Sequence, residues 1–429
     1  MKVAYLTSGA AGMFCGSCMH DNTLARAMRE IDVDIVLTPT YTPIRTDEED
    51  VSIDRVFFGG INVYLQQKIP LFRYLPAFVD RFLDRPWLIR MATARATGAN
   101  AKELGALTVS MLKGRAGNQR KEVNRLIRWL QGPERPDVVN FSNMLIAGCA
   151  PAIKESLGVP LVVTLQGDDI FLEDLPEPHR GKCLELIRSL VPSIDAFIVN
   201  SRYYGDYMGD QFSIPADKLH VVPLGLDTDD FAGLEPRPSR EHPTIGYLAR
   251  LAPEKGLHVL IDAFIELHEM GNHPRARLQI AGWLGDHNRS YVDELMKRID
   301  SAGLSELCQY VGSVDRAEKI DFLRSIDVLS VPTVYREPKG LFVLESLAAG
   351  VPVVQPDHGA FPEMIARLRG GAMVPPADPI SLARALDELL SDDDKRLNLA
   401  TDGHQRVHQH HNAREMAQAT RDVWRSVLP

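Results

Sequence analysis

Residues 335–345 read Tyr-Arg-Glu-Pro-Lys-Gly-Leu-Phe-Val-Leu-Glu, and the rest of the chain is arranged around this stretch. It places Glu337 and Glu345 on either side of a Pro-Gly loop and the start of an apolar helix. The apolar run at 351–354 then predicts a buried strand. Carboxylates at the mouth of an α/β sheet suit vicinal hydroxyls, because a carboxylate only accepts hydrogen bonds. The stretch therefore indicates an α/β protein that binds a sugar or a ribose, although an ordinary loop acid followed by a surface helix acid would give the same pattern.

The composition is that of an ordinary globular protein with more than one domain. A chain of 429 residues with 45% hydrophobic residues can form two or three domains with buried cores. The net charge of -9 argues against a nucleic-acid-binding protein, which needs a dominant basic surface. No apolar run approaches the length of a membrane span, and the N-terminus predicts a strand rather than a signal peptide. Because the five cysteines also indicate reduced thiols, we expect a cytoplasmic protein.

The first half of the chain alternates strands with helices. Strands are predicted at 3–7, 33–37, 138–141, 161–165 and 196–199. The glycine loop between the first strand and a helix near 22–30 indicates either a phosphate- or sugar-binding loop or a tight turn without a ligand. Inside this loop, Cys15, Cys18 and His20 allow a redox pair or a metal site, or simply two small thiols that line a cleft.

A basic insertion interrupts this alternation between about residues 66 and 135. Fourteen lysines and arginines face five acidic residues there, among many large apolar side chains. This composition predicts a patch that contacts an anionic membrane surface or an anionic acceptor, or else a helical subdomain with its aromatic side chains packed inward. In the first case the protein is peripheral at the inner face of the membrane.

A proline-rich linker at 235–243 leads to a second α/β series. Its strands are predicted at 244–247, 278–281, 309–311, 328–330 and 353–354. We therefore predict a first domain at 1–235 and a second at 241–410, two Rossmann-like halves with a cleft between them. Residues 411–429 have helical spacing, and this last helix either crosses back to the first domain or stays with the second.

The loop after the first strand of the second series carries two cations. Arg250 and Lys255 are followed by Gly256 at the start of a helix. Point charges beside an amide-lined helix N-terminus suit a diphosphate, whereas incidental cations on a surface loop are the alternative.

Several ordered motifs resemble the nucleotide-sugar half of glycosyltransferase family 4 (group 1), whose members have the GT-B fold. The motifs lie at 246–250, 255–256, 280–282, 311–312, 337–345, 349–354 and 361–363. The match runs from about Val221 to Glu363, whereas the first half is similar only in outline. The resemblance implies an α/β GT-B protein with two Rossmann-like domains facing across a cleft and a helical insertion in the first. It also implies a retaining, metal-independent hexosyltransferase that needs no cofactor and uses a nucleotide-diphosphate sugar, with UDP or GDP expected.

The same resemblance implies roles for single residues. Arg250 and Lys255 would bind the diphosphate and stabilise the leaving nucleotide. Glu345 would bind the ribose hydroxyls and Glu337 the hydroxyls of the donor sugar. The other donor-binding positions are Gly340, Leu341, Gly12, Gly16, Gly282 and Val311.

One departure from the family concerns the acceptor side. Many members carry a histidine after the strand that matches 161–165, or one strand earlier, but here Gln166 takes the first place and 140–143 lacks histidine. Glutamine can bind a sugar hydroxyl but cannot take a proton near neutral pH. We expect Gln166 to position the substrate, with Asp168 or Asp169 assisting; the alternative is that catalysis is impaired. Two other functions remain as alternatives to a glycosyltransferase. One is a nucleotide-sugar epimerase or another GT-B enzyme, and the other is a non-catalytic nucleotide-sugar-binding protein.

Overall fold

The computed structural model describes residues 1–9, 16–73, 101–133, 135–238 and 240–429. These residues form two compact units. The first unit comprises Met1–Leu224 with Ala413–Pro429, and the second comprises Gly225–Asn412. Each unit is built on its own six-stranded sheet, in which all paired strands are parallel. The predicted α/β class with two Rossmann-like halves is confirmed.

The sheet of the first unit has the order β2-β1-β3-β4-β5-β6. Its strands are β1 (Lys2–Thr7), β2 (Asp34–Pro39), β3 (Val138–Phe141), β4 (Leu161–Thr164), β5 (Ala196–Val199) and β6 (Leu219–Val221). Strands β3, β4 and β5 are buried along their whole length, as expected for parallel strands covered by helices on both faces. The direction of strand order reverses between β1 and β3, which is where such sheets bind ligands, beyond the carboxyl ends of the strands.

The helices of the first unit cover both faces of this sheet. In chain order they are α1 (Gly16–Glu30), α2 (Gly60–Lys68), α3 (Ala101–Leu112), α4 (Arg120–Leu130), α5 (Ala150–Leu157), α6 (Asp168–Glu173), α7 (His179–Leu190) and α8 (Arg202–Phe212). The predicted start of α1 near Asn22 is wrong. The helix begins six residues earlier, at Gly16, because the side chains from Cys18 onward already bury against the unit. Cys18 and His20 therefore lie on a helix and not in a loop.

The basic insertion is helical where the structure describes it. Phe57 packs on Trp129 with ring centroids 4.9 Å apart, and Arg125 pairs with the buried Glu122 at 2.8 Å. Residues 74–100, which carry most of the predicted membrane-contacting patch, lie outside the described residues. None of the helices in the described ranges is long and apolar enough to cross a bilayer.

The sheet of the second unit has the order β12-β11-β10-β7-β8-β9. Its strands are β7 (Thr244–Leu248), β8 (Arg277–Ala281), β9 (Cys308–Gly312), β10 (Val328–Leu329), β11 (Val353–Pro356) and β12 (Gly371–Val374). Its helices are α9 (Leu257–Met270), α10 (Arg289–Ser301), α11 (Arg316–Ser325), α12 (Leu341–Ala348), α13 (Phe361–Leu368), α14 (Pro379–Ser391) and α15 (Asp393–His410). Strand order reverses between β7 and β10, so the loops that follow these two strands emerge side by side.

The last helix, α16 (Ala413–Ser426), packs on α1 in the first unit. Trp424 is fully buried there, and its Nε1 donates a hydrogen bond of 2.9 Å to the side-chain oxygen of Asn140 on β3. The units divide between Leu224 and Gly225, upstream of the proline-rich segment. That segment packs on the second unit, where the Arg237 guanidinium donates to the carbonyl of Ile326 at 2.7 Å.

Candidate active site

The two loops at the switch point of the second unit bring Lys255 and Glu337 together. Lys255 follows β7 and Glu337 follows β10, and Ile245 and Val328 are paired in register within these strands. The Lys255 ammonium donates a hydrogen bond of 2.7 Å to Oε2 of Glu337. Both side chains are almost entirely buried, with 13% and 6% of their surfaces exposed. The structure thus joins two residues that the sequence placed in the same predicted site.

Tyr335 completes this cluster, and sequence analysis did not assign it a role. The Lys255 ammonium donates to the Tyr335 hydroxyl at 2.7 Å, and that hydroxyl donates to Oε2 of Glu337. The ammonium also lies 4.8 Å from the centroid of the tyrosine ring, close enough for a cation–π contact. Its proximity to Glu337 in the sequence was the only available signal. We call Lys255, Tyr335 and Glu337 the switch-point cluster.

Glu337 is held ionised by its neighbours. Burial by itself raises the pKa of this carboxyl, but the Lys255 ammonium and the Tyr335 hydroxyl outweigh burial and lower the pKa to about 2. Its second oxygen, Oε1, accepts longer hydrogen bonds from the backbone amides of Lys339 and Gly340, at 3.3 and 3.4 Å. Glu337 is therefore a fixed negative charge across the physiological pH range.

Backbone packing fixes the relative position of the two loops. Gly256 has φ +74°, and a Cβ there would lie 1.8 Å from the carbonyl oxygen of Pro332. The amide of Val334 donates to the carbonyl of Glu254 at 3.0 Å. Because no side chain fits at Gly256, the two loops are in direct backbone contact, and Lys255 is held close to the loop that carries Glu337.

Arg250 lies on the same loop but is outside the switch-point cluster. Its guanidinium pairs with Glu254 at 3.1 Å, and 42% of its side chain is exposed. The loop is anchored behind it, because the buried Tyr247 donates its hydroxyl to the carbonyls of Arg250 and Lys255. Arg250 is thus a solvent-facing cation on an anchored loop.

Glu345 is paired with a residue that sequence analysis missed. It lies on α12, is 5% exposed, and accepts a hydrogen bond from the ammonium of Lys319 on α11. Lys319 is itself 5% exposed. The available signal was that Lys319 precedes Phe322 and Leu323 by three and four positions, so it lies on the face of α11 that helical spacing turns toward the core.

The other positions predicted to bind the donor in the second unit lie near the same edge of the sheet. Gly340 has φ +71° and precedes α12, which begins at Leu341. Gly282 follows β8, and a Cβ there would lie 1.8 Å from the carbonyl oxygen of Ala249, so packing of the β7 loop already requires glycine. Val311 lies on β9 and is 39% exposed. Gly282, Gly340 and Leu341 therefore lie beyond the carboxyl ends of strands, whereas Val311 lies within strand β9.

Gln166 follows β4, the strand next to β3 in the first unit, and is buried. Its side-chain amide donates to Oδ1 of Asp21 at 2.8 Å and to the carbonyl of Ser142 at 3.2 Å. Gly16 begins α1 and is exposed, with no atom of the described residues within 4 Å of an added Cβ. Gly12, together with Cys15, lies outside the described residues.

The two aspartates after Gln166 are bound by groups of the protein itself. Asp168 accepts hydrogen bonds from the backbone amide of Gln166 at 2.9 Å and from the backbone amide of Met144. Burial raises the pKa of Asp168 to about 6. Asp169 accepts from the Tyr204 hydroxyl at 2.7 Å, and burial raises its pKa as well. Both contacts hold the loop that carries Gln166. Within the described ranges, no cluster of three His, Cys, Asp or Glu side chains could hold a metal ion.

Comparison with known families finds two that match consecutive parts of the chain. The family described as glycosyl transferases group 1 matches residues 235–406, and the family described as Glycosyltransferase Family 4 matches residues 108–230. The chain is 28% identical over 318 residues to a glycogen synthase of Mycobacterium tuberculosis, covering 72% of each. It is 26% identical over 288 residues to a D-inositol 3-phosphate glycosyltransferase of Stackebrandtia nassauensis, covering 63% of this chain and 64% of that protein.

Solved structures share the fold along the whole chain. Anabaena HepE in complex with UDP superposes with a TM-score of 0.68 at 17% identity, covering 99% of this chain and 100% of HepE. A sucrose-phosphate synthase from Thermosynechococcus elongatus superposes with a TM-score of 0.69 at 15% identity, covering 99% of each chain. At these identities the likeness concerns the fold alone.

Proposed function

The chain belongs to the group 1 glycosyltransferases of family 4, and on this premise we propose that it moves a hexose from a nucleotide-diphosphate sugar to a hydroxylated acceptor, retaining the anomeric configuration and needing no metal ion. The observation that supports this proposal most is the buried contact between Lys255 and Glu337 at the switch point of the second unit. A cation beside a carboxylate that can accept hydrogen bonds from hydroxyls is the combination that a sugar diphosphate requires.

The diphosphate would bind to protein cations. An ammonium has three protons, and the Lys255 ammonium directs one to Glu337 and one to Tyr335, so the third can reach a phosphate oxygen. Arg250, half-exposed on the same loop, would supply a second cation. The amides at the start of α12, near Gly340 and Leu341, favour phosphate oxygens as well. Together these groups would offset the charge that develops on the leaving nucleotide, which is the task of a divalent metal in other enzymes.

The two glutamates would orient the rest of the donor. Glu337 stays ionised, so its carboxylate can accept hydrogen bonds from sugar hydroxyls at any physiological pH. Glu345 would accept from the ribose hydroxyls, which would share its carboxylate with Lys319. The donor's own phosphate oxygen would take the acceptor proton, so no separate general base is required, and Gln166 would only position the substrate. A UDP complex of a protein with this fold makes UDP the first nucleotide to test, followed by GDP.

The stereochemical proposal can be tested with water as the acceptor. Purified protein is mixed with α-linked UDP- and GDP-hexoses in EDTA, and NMR records the anomer of the free sugar before it equilibrates. Release of the α anomer is expected. Release of the β anomer, or release only when a divalent metal is added, would contradict retention or metal independence. Any hydrolysis or transfer rejects the non-catalytic alternative, whereas conversion to an epimeric nucleotide sugar would identify an epimerase.

We also propose that the protein acts in the cytoplasm and contacts the anionic inner surface of the membrane. The support is the excess of basic residues at 66–135 together with two exposed apolar side chains, Ile69 at 42% and Leu71 at 66%. Co-sedimentation with anionic liposomes at low salt, lost at high salt, is expected. Failure to bind at low salt would end this part of the proposal.

A further inference from the structure

A buried hydrogen-bond network at the switch point of the first unit surrounds the carboxylate of Asp21. Asp21 lies on α1 and has no exposed surface. Its Oδ1 accepts from the Tyr5 hydroxyl at 2.9 Å and from the side-chain amide of Gln166 at 2.8 Å. Its Oδ2 accepts from the Thr7 hydroxyl at 2.7 Å. These donors come from β1 and from the loop after β4. The carboxylate therefore has a fixed position beside the predicted substrate-positioning residue.

His20 is the fourth group on this carboxylate. Its Nδ1 lies 3.1 Å from Oδ1 of Asp21, and the side chain is 4% exposed. Because a carboxylate only accepts hydrogen bonds, Nδ1 must carry the proton. In the neutral ring Nε2 is then the acceptor, and no residue that the structure describes donates to it. Asp21 thus fixes the tautomer and orientation of His20, because the hydrogen bond at one ring nitrogen decides which nitrogen carries the proton.

A second polar group in this network also lacks a partner within the described chain. The Ser142 side-chain oxygen, at the end of β3, is buried and makes no hydrogen bond there. Ser142 is connected to the network, because its carbonyl accepts from the side chain of Gln166. A buried hydroxyl normally has a partner, so the Ser142 hydroxyl has the capacity to bind one further group.

We propose that His20 is a substrate-binding residue, with Nε2 accepting a hydrogen bond from a hydroxyl of a sugar or polyol acceptor that also contacts Ser142. The ligand class follows from the chemistry: an alcohol donates to Nε2 and accepts from the serine hydroxyl, which a carboxylate or a fully ionised phosphate cannot do. The inference rests on the proposed function for its acceptor, and it gives a role to a motif residue, His20, that the donor site does not use.

The tautomer and the ligand can be tested together by NMR on protein labelled with nitrogen-15 at histidine. D-glucose, maltose and myo-inositol serve as probes, and His20→Asn and His20→Gln assign the signal. The expected result is a His20 ring protonated at Nδ1, whose Nε2 signal shifts with at least one probe. A ring protonated at Nε2, or a signal that none of the three probes moves, would overturn the proposal.

Matched variants separate binding from a structural role. Asparagine can keep a hydrogen-bond donor for Asp21, but it has no atom at the position of Nε2. Glutamine is longer, so its side-chain oxygen can reach that position and accept a hydrogen bond. We expect His20→Asn to lower transfer to the probe about ten- to a hundredfold, His20→Gln to recover part of it, and His220→Asn on β6 to leave it unchanged. Equal activity of His20→Asn and the wild type would overturn the proposal. Stabilisation by UDP- or GDP-sugars does not involve His20, so failure of the proposed function is recognised separately by the absence of that stabilisation.

Discussion

The ammonium of Lys255 lies 2.7 Å from the carboxylate of Glu337, although 82 positions separate the two residues in the chain. The contact exists because β7 and β10 are neighbours at the point where strand order reverses. Removal of either group leaves the other buried and uncompensated, which typically costs about 3–5 kcal/mol for a buried pair. Both partners are therefore expected to matter for stability as well as for the reaction.

Replacement of Glu337 by Gln should slow transfer while leaving nucleotide binding nearly intact. The amide keeps the shape but loses the charge that faces Lys255 and the donor sugar, so we expect a fall in kcat of about 100-fold and a change in UDP or GDP affinity within about threefold. Steady-state kinetics and calorimetric titration measure the two effects. Glu269→Gln, on the exposed face of α9, is the control. A full-rate Glu337→Gln enzyme would reject the role of Glu337.

Replacement of Tyr335 by Phe should weaken the switch-point cluster, because it removes the hydroxyl and keeps the ring. The variant loses the hydroxyl that accepts from Lys255 and donates to Glu337, but it keeps the ring beneath the ammonium. We expect a loss of roughly 1–2 kcal/mol in the free energy of unfolding and a larger loss for Tyr335→Leu, which also removes the ring. Urea unfolding measures both. Equal stability of the two variants would show that the ring does not bind the ammonium.

Lys319 and Glu345 should be strongly coupled in a double-mutant cycle. Lys319→Met alone leaves Glu345 as an unpaired buried charge and should cost about 3 kcal/mol or more, whereas the double variant with Glu345→Leu should cost less than the sum of the single variants by about 1–3 kcal/mol. The exposed pair Lys395 and Glu388 in the same unit is the control, with coupling below about 1 kcal/mol. Additive costs at Lys319 and Glu345 would contradict the contact.

Asp168 should make stability depend on pH in the weakly acidic range. Burial raises its folded-state pKa from 3.8 to about 6, so the folded state holds the proton more tightly than the unfolded state. The resulting stability is complete below about pH 4 and is lost as pH rises through 6, by roughly 3 kcal/mol in total. Asp168→Asn cannot ionise and should lack this decline. Unfolding measured from pH 4 to 7 tests this, with the exposed Asp174→Asn as the control. Parallel curves for wild type and Asp168→Asn would refute it.

Hydrophobic patterning was enough to predict the two α/β halves, because fully buried parallel strands appear as short apolar runs. Two edge strands were missed. They are Leu219–Val221 and Gly371–Val374. Three residues of each strand are at least partly exposed, so neither strand forms an apolar run. The early start of α1 was also missed, because Ser17, His20 and Asp21 do not belong to an apolar pattern even though His20 and Asp21 are buried.

Ordered motifs named individual residues for the predicted donor site, but not the contacts that these residues make. Arg250, Lys255, Glu337 and Glu345 were identified from the resemblance, but their partners depend on which strands are adjacent. Asp21 could not be found, because a charged residue in a sequence pattern indicates a solvated face unless its buried partner is known. For Lys319 the only signal was its helical spacing to Phe322 and Leu323, which does not name its partner.

Thermal unfolding with UDP-, GDP- and ADP-sugars in the presence of EDTA tests whether the protein binds a nucleotide-sugar donor without a metal ion, since a ligand that binds only the folded protein raises Tm. One nucleotide series should raise Tm by roughly 5 °C or more at saturating concentration, and this rise should be largely lost in Lys255→Met, measured from that variant's own baseline. The absence of stabilisation by every nucleotide sugar, or stabilisation only after a divalent metal is added, would contradict a metal-independent donor site built on Lys255 and Glu337.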